Sequence, residues 1–550
     1  MKARILDHSP ETILYNGKVL CVDEASSLVE AVAIKNGRFI GIGDSKEITA
    51  LAGRKTVSID LGGRTVLPGL IDTHNHMTEV ALGMEQLSLE GSTCIPDITR
   101  VIGGKARDVG PGKWVVTGLI GEPAISHQLS ERRYPTRSDL DAVSPDNPVC
   151  IVSFHVFIVN SYALKIAGIN KNTPQPGGGT IGIDPATGEP TGIFYEEPAM
   201  ALIRPFLPVP THEEKVNGLR KACRRYNAVG LTGICEHGIG LEELRSYQEL
   251  RRKGELTVRS YVHLMVDPNQ TSDDLKRTVK DAAFVASPGF GDEYLRIGGL
   301  KVIFDGGVGI GTALMRKPYM TASGKLSDGI QVISTPLFEE LTHLCSLYDV
   351  RLAQHDSGGK AIDTVLDVYE RISAKKPIND KRFVMVHCQF PTRDTFEKIR
   401  KLGAVVTTQA SFLYVMGSGY MKYLGKELAD EAIPLRDWLD NGVPVALSSD
   451  APVTSFNPLM GIWSAVTRKE KTTGEVIGPG QRITREEAIR CYTKNAAYLT
   501  FEEGLKGSIE PGKLADLVVL SNDILTCPEE EIKETKVEMT MLGGEVVHQI

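Results

Sequence analysis

The chain has 550 residues, of which 62 are Lys or Arg and 69 are Asp or Glu, giving a formal charge of −7; 41% are hydrophobic and 24% charged. This length and mixed composition support a large buried core and exclude disorder, and an acidic balance without any long lysine or arginine run excludes an electrostatic footprint for nucleic acid. No run of about 18 or more apolar residues occurs, so no membrane-spanning helix is expected. The nine cysteines are scattered and odd in number, with no Cys-x-x-Cys pair. They are expected as reduced thiols of a cytoplasmic protein. Residues 1–17 lack the apolar core of a signal peptide, which points to the same compartment.

Between Thr12 and Leu67, short alternating apolar runs are broken by Asn16-Gly17 and Asn36-Gly37. These are hairpin turn signals and predict a small antiparallel β unit. A strand over 67–73 follows, ending in His74-Asn75-His76. Residues 79–210 contain Gly177-Gly178-Gly179, many prolines and short β-like runs from Val149 onward. They read as a mostly β insertion with one short helix from Ser161 to Ala167.

From residue 211 the period of the apolar pattern alternates between helix and strand. Helices are predicted over 211–228, 242–253, 272–284, 337–348, 361–373, 393–402 and 435–440. Strands are predicted over 231–236, 257–265, 295–304, 350–354, 382–386, 404–409 and 443–448. With the 67–73 strand this makes about eight strands separated by helices, the number that closes a (β/α)8 TIM barrel. A doubly wound open sheet is the competitor, but no Gly-x-Gly-x-x-Gly turn follows the first strand. The runs at 516–520, 535–541 and 545–547 match the N-terminal ones in kind, so both termini are expected to be pieces of one β domain.

In such a barrel, residues at the carboxyl ends of the strands converge. His74 and His76 end the first strand and share a face, because strand side chains alternate. Lys301 lies in the fourth strand, His355 follows the fifth, His387 ends the sixth and Asp450 ends the eighth. Imidazoles and a carboxylate suit zinc or a similar divalent ion. An ammonium would repel one, unless burial beside positive charge frees the amine to take up carbon dioxide as a carbamate that bridges two metals. A water held by such ions loses its proton near neutral pH, and Asp450 is expected to move that proton to a leaving nitrogen. Singly, each residue has an ordinary reading. His355 and His387 read as polar strand ends, Lys301 as a charged strand residue with Asp305 as rival ligand, and Asp450 as a turn cap. Their joint placement at the correct strand ends carries the inference.

Three stretches resemble the amidohydrolase superfamily: residues 68–76, Gly507 to Val518, and Ser449-Asp450-Ala451-Pro452. More closely, the chain resembles its YtcJ-like branch, which includes N-substituted formamide deformylase. The matches are His155 with Asn160-Ser161, Gly188 to Gly192 with Glu196, Lys301 with Asp305-Gly306, His387-Cys388-Gln389, Gln409, and Tyr492-Thr493. The resemblance implies a distorted (β/α)8 barrel, a β-sandwich built from both termini and one or two divalent metals, usually zinc. The division it implies is 1–66 and 505–550 for the sandwich and 67–504 for the barrel. Two departures stand near the mouth: His355-Asp356-Ser357-Gly358-Gly359 has Gly359 where the family usually carries an acid, and Gln409-Ala410 replaces Gln-Pro.

Phe154, His155, Tyr195, Glu196, Phe412, Tyr414 and Trp463 are the expected pocket residues, with His155 orienting the substrate carbonyl. An aromatic lining suits an apolar group on the substrate. The reading is a metal-dependent hydrolase of a non-peptide carbon–nitrogen bond in an N-substituted amide or formamide. The alternatives are a hydrolase of a cyclic amide, imine or ester, or a metal-free binding protein on the same fold. A small-molecule substrate is expected, with neither nucleic acid nor membrane as partner, and a homo-oligomer such as a dimer follows from the resemblance alone.

Overall fold

In the computed structural model, which describes residues 9–84, 86–89, 91–118, 129–153, 155–286, 290–321 and 326–550, eight parallel strands form one sheet in chain order. They are Leu70–Asn75, Leu231–Ile239, Arg259–Met265, Leu295–Ile303, Leu352–Asp356, Val384–His387, Val405–Thr408 and Val445–Leu447. The sheet curls on itself, because Asn75 bridges in parallel to Ala451 and the Asp450 amide donates to the His74 carbonyl at 2.8 Å. This is the (β/α)8 barrel that the alternating periods predict. Ile71, Ala353, Val384, Val405 and Ala446 share one buried cluster with Ala496, Ala497 and Leu499.

Helix ends follow local chemistry. Thr211 and Glu214 form a capping box ahead of His212–Ala228, and Thr484 and Glu487 do the same for Arg485–Cys491. Each box satisfies amide hydrogens that the first helical turn leaves without partners.

The predicted 67–73 strand is two strands. Thr65–Pro68 pairs antiparallel with Leu517–Leu520, whereas Leu70–Asn75 opens the barrel. The break falls at Gly69, where a Cβ would lie 2.6 and 2.8 Å from Thr232 side-chain carbons. Only glycine permits that approach, and Pro68 has no amide hydrogen to extend the ladder.

Strands from both ends of the chain share a six-stranded sheet, in the order Glu545–Gln549, Val537–Leu542, Leu517–Leu520, Thr65–Pro68, Lys18–Leu20 and Leu28–Val29. A four-stranded sheet of Arg38–Gly43, Ala31–Lys35, Thr12–Tyr15 and Val57–Asp60 accompanies it. Leu14, Val32 and Phe39 of the smaller sheet pack with Val19, Val66 and Val519 of the larger. The N-terminal strands are not purely antiparallel as predicted. Thr12–Tyr15 runs parallel to Val57–Asp60, and Lys18–Leu20 parallel to Thr65–Pro68. Asn36-Gly37 closes a hairpin, but at Asn16-Gly17 the chain passes from one sheet to the other. A turn signal specifies a local reversal and does not choose the partner strand.

The segment between the first and second barrel strands contains a five-stranded sheet and the predicted helix Ser161–Ala167. It also carries more helix than its sequence suggests. Ile95–Val109 buries Ile95, Ile98, Ile102 and Ala106 at helical spacing, while Gly103-Gly104 in its middle reads as a break. Two further helices, Ser411–Leu424 and Pro458–Thr467, follow the seventh and eighth barrel strands. Both are buried along most of their length, so no amphipathic stripe marks them in the sequence. Arg259 and Asp516 are 2% and 5% exposed and form paired bonds of 2.7 and 2.8 Å that tie the third barrel strand to the terminal sheet. No helix among the described residues is long and apolar enough to cross a membrane.

Candidate functional site

Closure of the barrel creates the site. His74 ends the first strand, His76 begins the turn beyond it, and Asp450 follows the eighth strand with a left-handed φ of 56°. The Nε2 atoms of both histidines lie 3.0 Å from Asp450 Oδ1. Buried Asp72 holds this seam together by accepting bonds from Asn75 Nδ2 at 2.8 Å and the Ser449 amide at 3.0 Å. Burial, reinforced by nearby Lys301, pushes the His74 pKa well below its ordinary value. Burial acts the same way on His76, but the hydrogen bond and charge of Asp450 outweigh it and raise that pKa. One ligand atom from each of the three residues falls within 4.8 Å of the others. Two imidazole nitrogens converging on one carboxylate oxygen are the donor types a divalent cation takes. These residues therefore fit the metal that the fold implies.

His355 and His387 adjoin this trio, with rings 4.4 Å apart and His387 5.1 Å from His74. Each is oriented from behind. His355 Nδ1 lies 3.1 Å from Asp305 Oδ1, and His387 Nδ1 lies 2.7 Å from Gln409 Oε1. Such outer contacts commit Nδ1 and leave Nε2 to the site. Burial pushes both imidazoles well below their ordinary pKa. Lys301 is 2% exposed and its Nζ has no hydrogen-bond partner among the described residues. Burial lowers its pKa to about 7 against the opposing charges of Asp450 and Asp356.

A cavity at these residues is lined by His155, His355, His387 and Asp450 together with Val308, Ile310, Phe412, Met416 and Val453. His155 Nδ1 sits 2.7 Å from Glu196 Oε2. The carboxylate is 1% exposed and approaches from behind the ring. Burial opposes a charged His155, but Glu196 outweighs it and raises the pKa. Phe412 lies on a helix rather than in a loop and stacks on His387 at 5.7 Å.

The other expected pocket residues lie elsewhere. Tyr195 is buried in the sheet core between the first two barrel strands, and Tyr414 packs edge-on against Trp463 at 5.2 Å. Neither Tyr195, Tyr414 nor Trp463 is among the residues lining the cavity. Phe154 is outside the described residues.

Two histidines at the barrel centre escape sequence reading. His237 stacks on His263 at 4.4 Å, lies 4.5 Å from His74, and places Nε2 3.2 Å from the Thr73 carbonyl. Its strand runs to Ile239, three residues beyond the predicted end, and that extension was the available signal. Tyr420, hydrogen-bonded to Gln389 in the cavity wall, is also missed. Glu196, His387, Cys388 and Asp450 all hold positive φ, and such strained backbone clusters at sites of function.

A parallel barrel with a His-His-carboxylate cluster at the carboxyl ends of its strands defines a metal-dependent hydrolase. A model of the amidohydrolase family matches residues 58–548, and the chain belongs to that family. It is 28% identical to N-substituted formamide deformylase of Arthrobacter pascens, with 97% of each chain covered. It is equally 28% identical to protein LONG AFTER FAR-RED 3 of Arabidopsis thaliana, over 93% of this chain and 87% of that one. Among solved structures, an uncharacterised metal-dependent hydrolase from Pyrococcus horikoshii superposes with a TM-score of 0.73 at 24% identity, covering 94% of this chain and 99% of that one.

Proposed function

We propose that the enzyme hydrolyses a non-peptide carbon–nitrogen bond in a neutral N-substituted amide or formamide bearing an apolar group. The observation that carries this reading is the mixed lining of the cavity. It combines three imidazoles and a carboxylate with Val308, Ile310, Phe412, Met416 and Val453, and no lysine or arginine is among the described residues that line it. A carbonyl fits the polar groups and an apolar nitrogen substituent the apolar ones, with no lysine or arginine among them to anchor an ionic substrate. The similarity to a formamide deformylase supports the same class.

His74, His76 and Asp450 would hold one divalent ion, with zinc the ion their chemistry suits best, and His355, His387 and Lys301 are placed to serve a second. When bound, the ion supplies carbonyl polarisation and a water acidic enough to attack near neutral pH. Asp450 accepts the proton released as water adds to the carbonyl carbon, then delivers it to the nitrogen as the carbon–nitrogen bond breaks. His155, whose charged form Glu196 favours, donates from Nε2 to the carbonyl oxygen as negative charge gathers there. The buried Lys301 amine, with no partner among the described residues and its pKa lowered to about 7, supports addition of carbon dioxide with loss of a proton to form a carbamate.

The test is to load the full chain with zinc, measure metal per chain by plasma mass spectrometry, and screen N-substituted formamides and amides for released amine. We expect amine release, and a loss of about 100-fold in kcat for His155→Ala at unchanged metal content. Hydrolysis of esters or cyclic imines with no amide turnover would overturn the substrate assignment, and unchanged kcat in His155→Ala would overturn the role of His155.

A further inference from the structure

The histidine proposed to hold the substrate oxygen is itself held by a chain of contacts that reaches a different part of the barrel. Glu196 bonds His155 twice. Its backbone amide donates to the His155 carbonyl at 2.8 Å, and its Oε2 lies 2.7 Å from Nδ1. The other carboxylate oxygen, Oε1, accepts the Thr312 hydroxyl at 2.6 Å. The same hydroxyl accepts the Gly307 amide at 3.0 Å. Thr312 stands 116 residues from Glu196, on the loop that follows the fourth barrel strand. That loop also supplies Gly307, Val308, Gly309 and Ile310 to the cavity wall.

The packing leaves no slack in this chain. A Cβ at Gly306 would come 2.6 Å from Glu196 Oε1 and would also clash with the Thr312 hydroxyl. Glu196 is 1% exposed and sits at φ 65°, outside the conformations a glutamate ordinarily takes. Both carboxylate oxygens are engaged by donors, so Nδ1 carries a hydrogen directed at Glu196 and Nε2 is left facing the cavity.

We propose that Glu196 and Thr312 are positioning residues that fix the orientation of the His155 ring with Nε2 facing the cavity, so that the loop after the fourth barrel strand, which lines the substrate cavity, also sets the carbonyl donor. This rests on the role assigned to His155 above. Thr312→Val removes the hydroxyl at nearly constant volume, and Thr312→Ser restores it.

The experiment uses the zinc-loaded full chain and N-benzylformamide. Thr312→Val and Glu196→Gln are each expected to lower kcat about tenfold with KM nearly unchanged, and Thr312→Ser to recover most of the loss. In a His155→Ala background, Thr312→Val is expected to cost nothing further, because residues acting through one group are not additive. Crystals of Thr312→Val should show the His155 ring turned away from Glu196. Losses that multiply in the His155→Ala background would make Thr312 a general structural residue and overturn the proposal. So would an unmoved ring with unchanged kcat. If the zinc-loaded wild type releases no amine, the substrate reading fails, and the ring orientation in the Thr312→Val crystals still decides the positioning claim.

Discussion

Asp305 Oδ1 lies 3.1 Å from His355 Nδ1, and the same carboxylate accepts the amides of Leu314, Ser357 and Gly358 at 2.8 to 2.9 Å. Sequence alone leaves Asp305 a rival of Lys301 for a metal. In the fold, its two oxygens already serve four donors and brace His355 from behind. Asp305→Ala strands three buried amides as well as His355, so a loss of about 3 kcal/mol or more is expected. Asp305→Asn should lose less, because its amide oxygen still accepts. Urea denaturation of the two variants against wild type checks the order.

Lys301 makes stability depend on pH in a definite direction. Its pKa falls from 10.5 unfolded to about 7 folded, because burial disfavours the ammonium. The unfolded chain therefore binds more protons between those values, and stability rises with pH across that window. Below about pH 7 the ammonium is buried in full, so Lys301→Met should stabilise metal-free protein there by a few kcal/mol. The gain should shrink steadily towards pH 10. Denaturation midpoints in chelator and carbonate-free buffer measure it, and a pH-independent difference would contradict the assignment.

Phe412 stacks on His387 and lines the cavity. Truncating it removes contact with the substrate's apolar group while leaving the convergent donors in place. Phe412→Ala should lower kcat/KM for an N-benzyl substrate about tenfold or more. The N-methyl analogue should be affected much less. Equal losses on both would move Phe412 from substrate recognition to support of His387.

Arg259 and Asp516 form a buried pair between the barrel and the terminal sheet, and Asp516 Oδ1 also accepts the Gly543 amide at 2.8 Å. Asp516→Ala leaves an uncompensated guanidinium and is expected to cost about 3 kcal/mol or more. Thermal denaturation should show the loss, with metal content unchanged.

Removal of metal tests the His74, His76 and Asp450 cluster without reference to a substrate. An ion that binds the native state alone raises the melting temperature by mass action. Chelation should lower it and added zinc restore it. In His74→Ala both effects should be largely lost.

Local physics made much of this protein readable in the sequence. Alternation of helical and strand periods specified the eight-stranded barrel, since each period reports only on near neighbours. Placing His74, His76 and Asp450 at strand ends then sufficed to bring them together, because a closed parallel barrel gathers its carboxyl ends at one mouth. What the tertiary structure decided depends on contacts between distant segments. It turned Phe412 to the cavity while Tyr195, Tyr414 and Trp463 went into cores, a choice set by packing that an aromatic residue does not itself encode. It committed Asp305 to four donors, brought His237 beside His74 with His263 stacked on His237, and joined Glu196 to Thr312 across 116 residues. A helix or strand pattern specifies which residues share a face. Only the folded chain determines what that face meets.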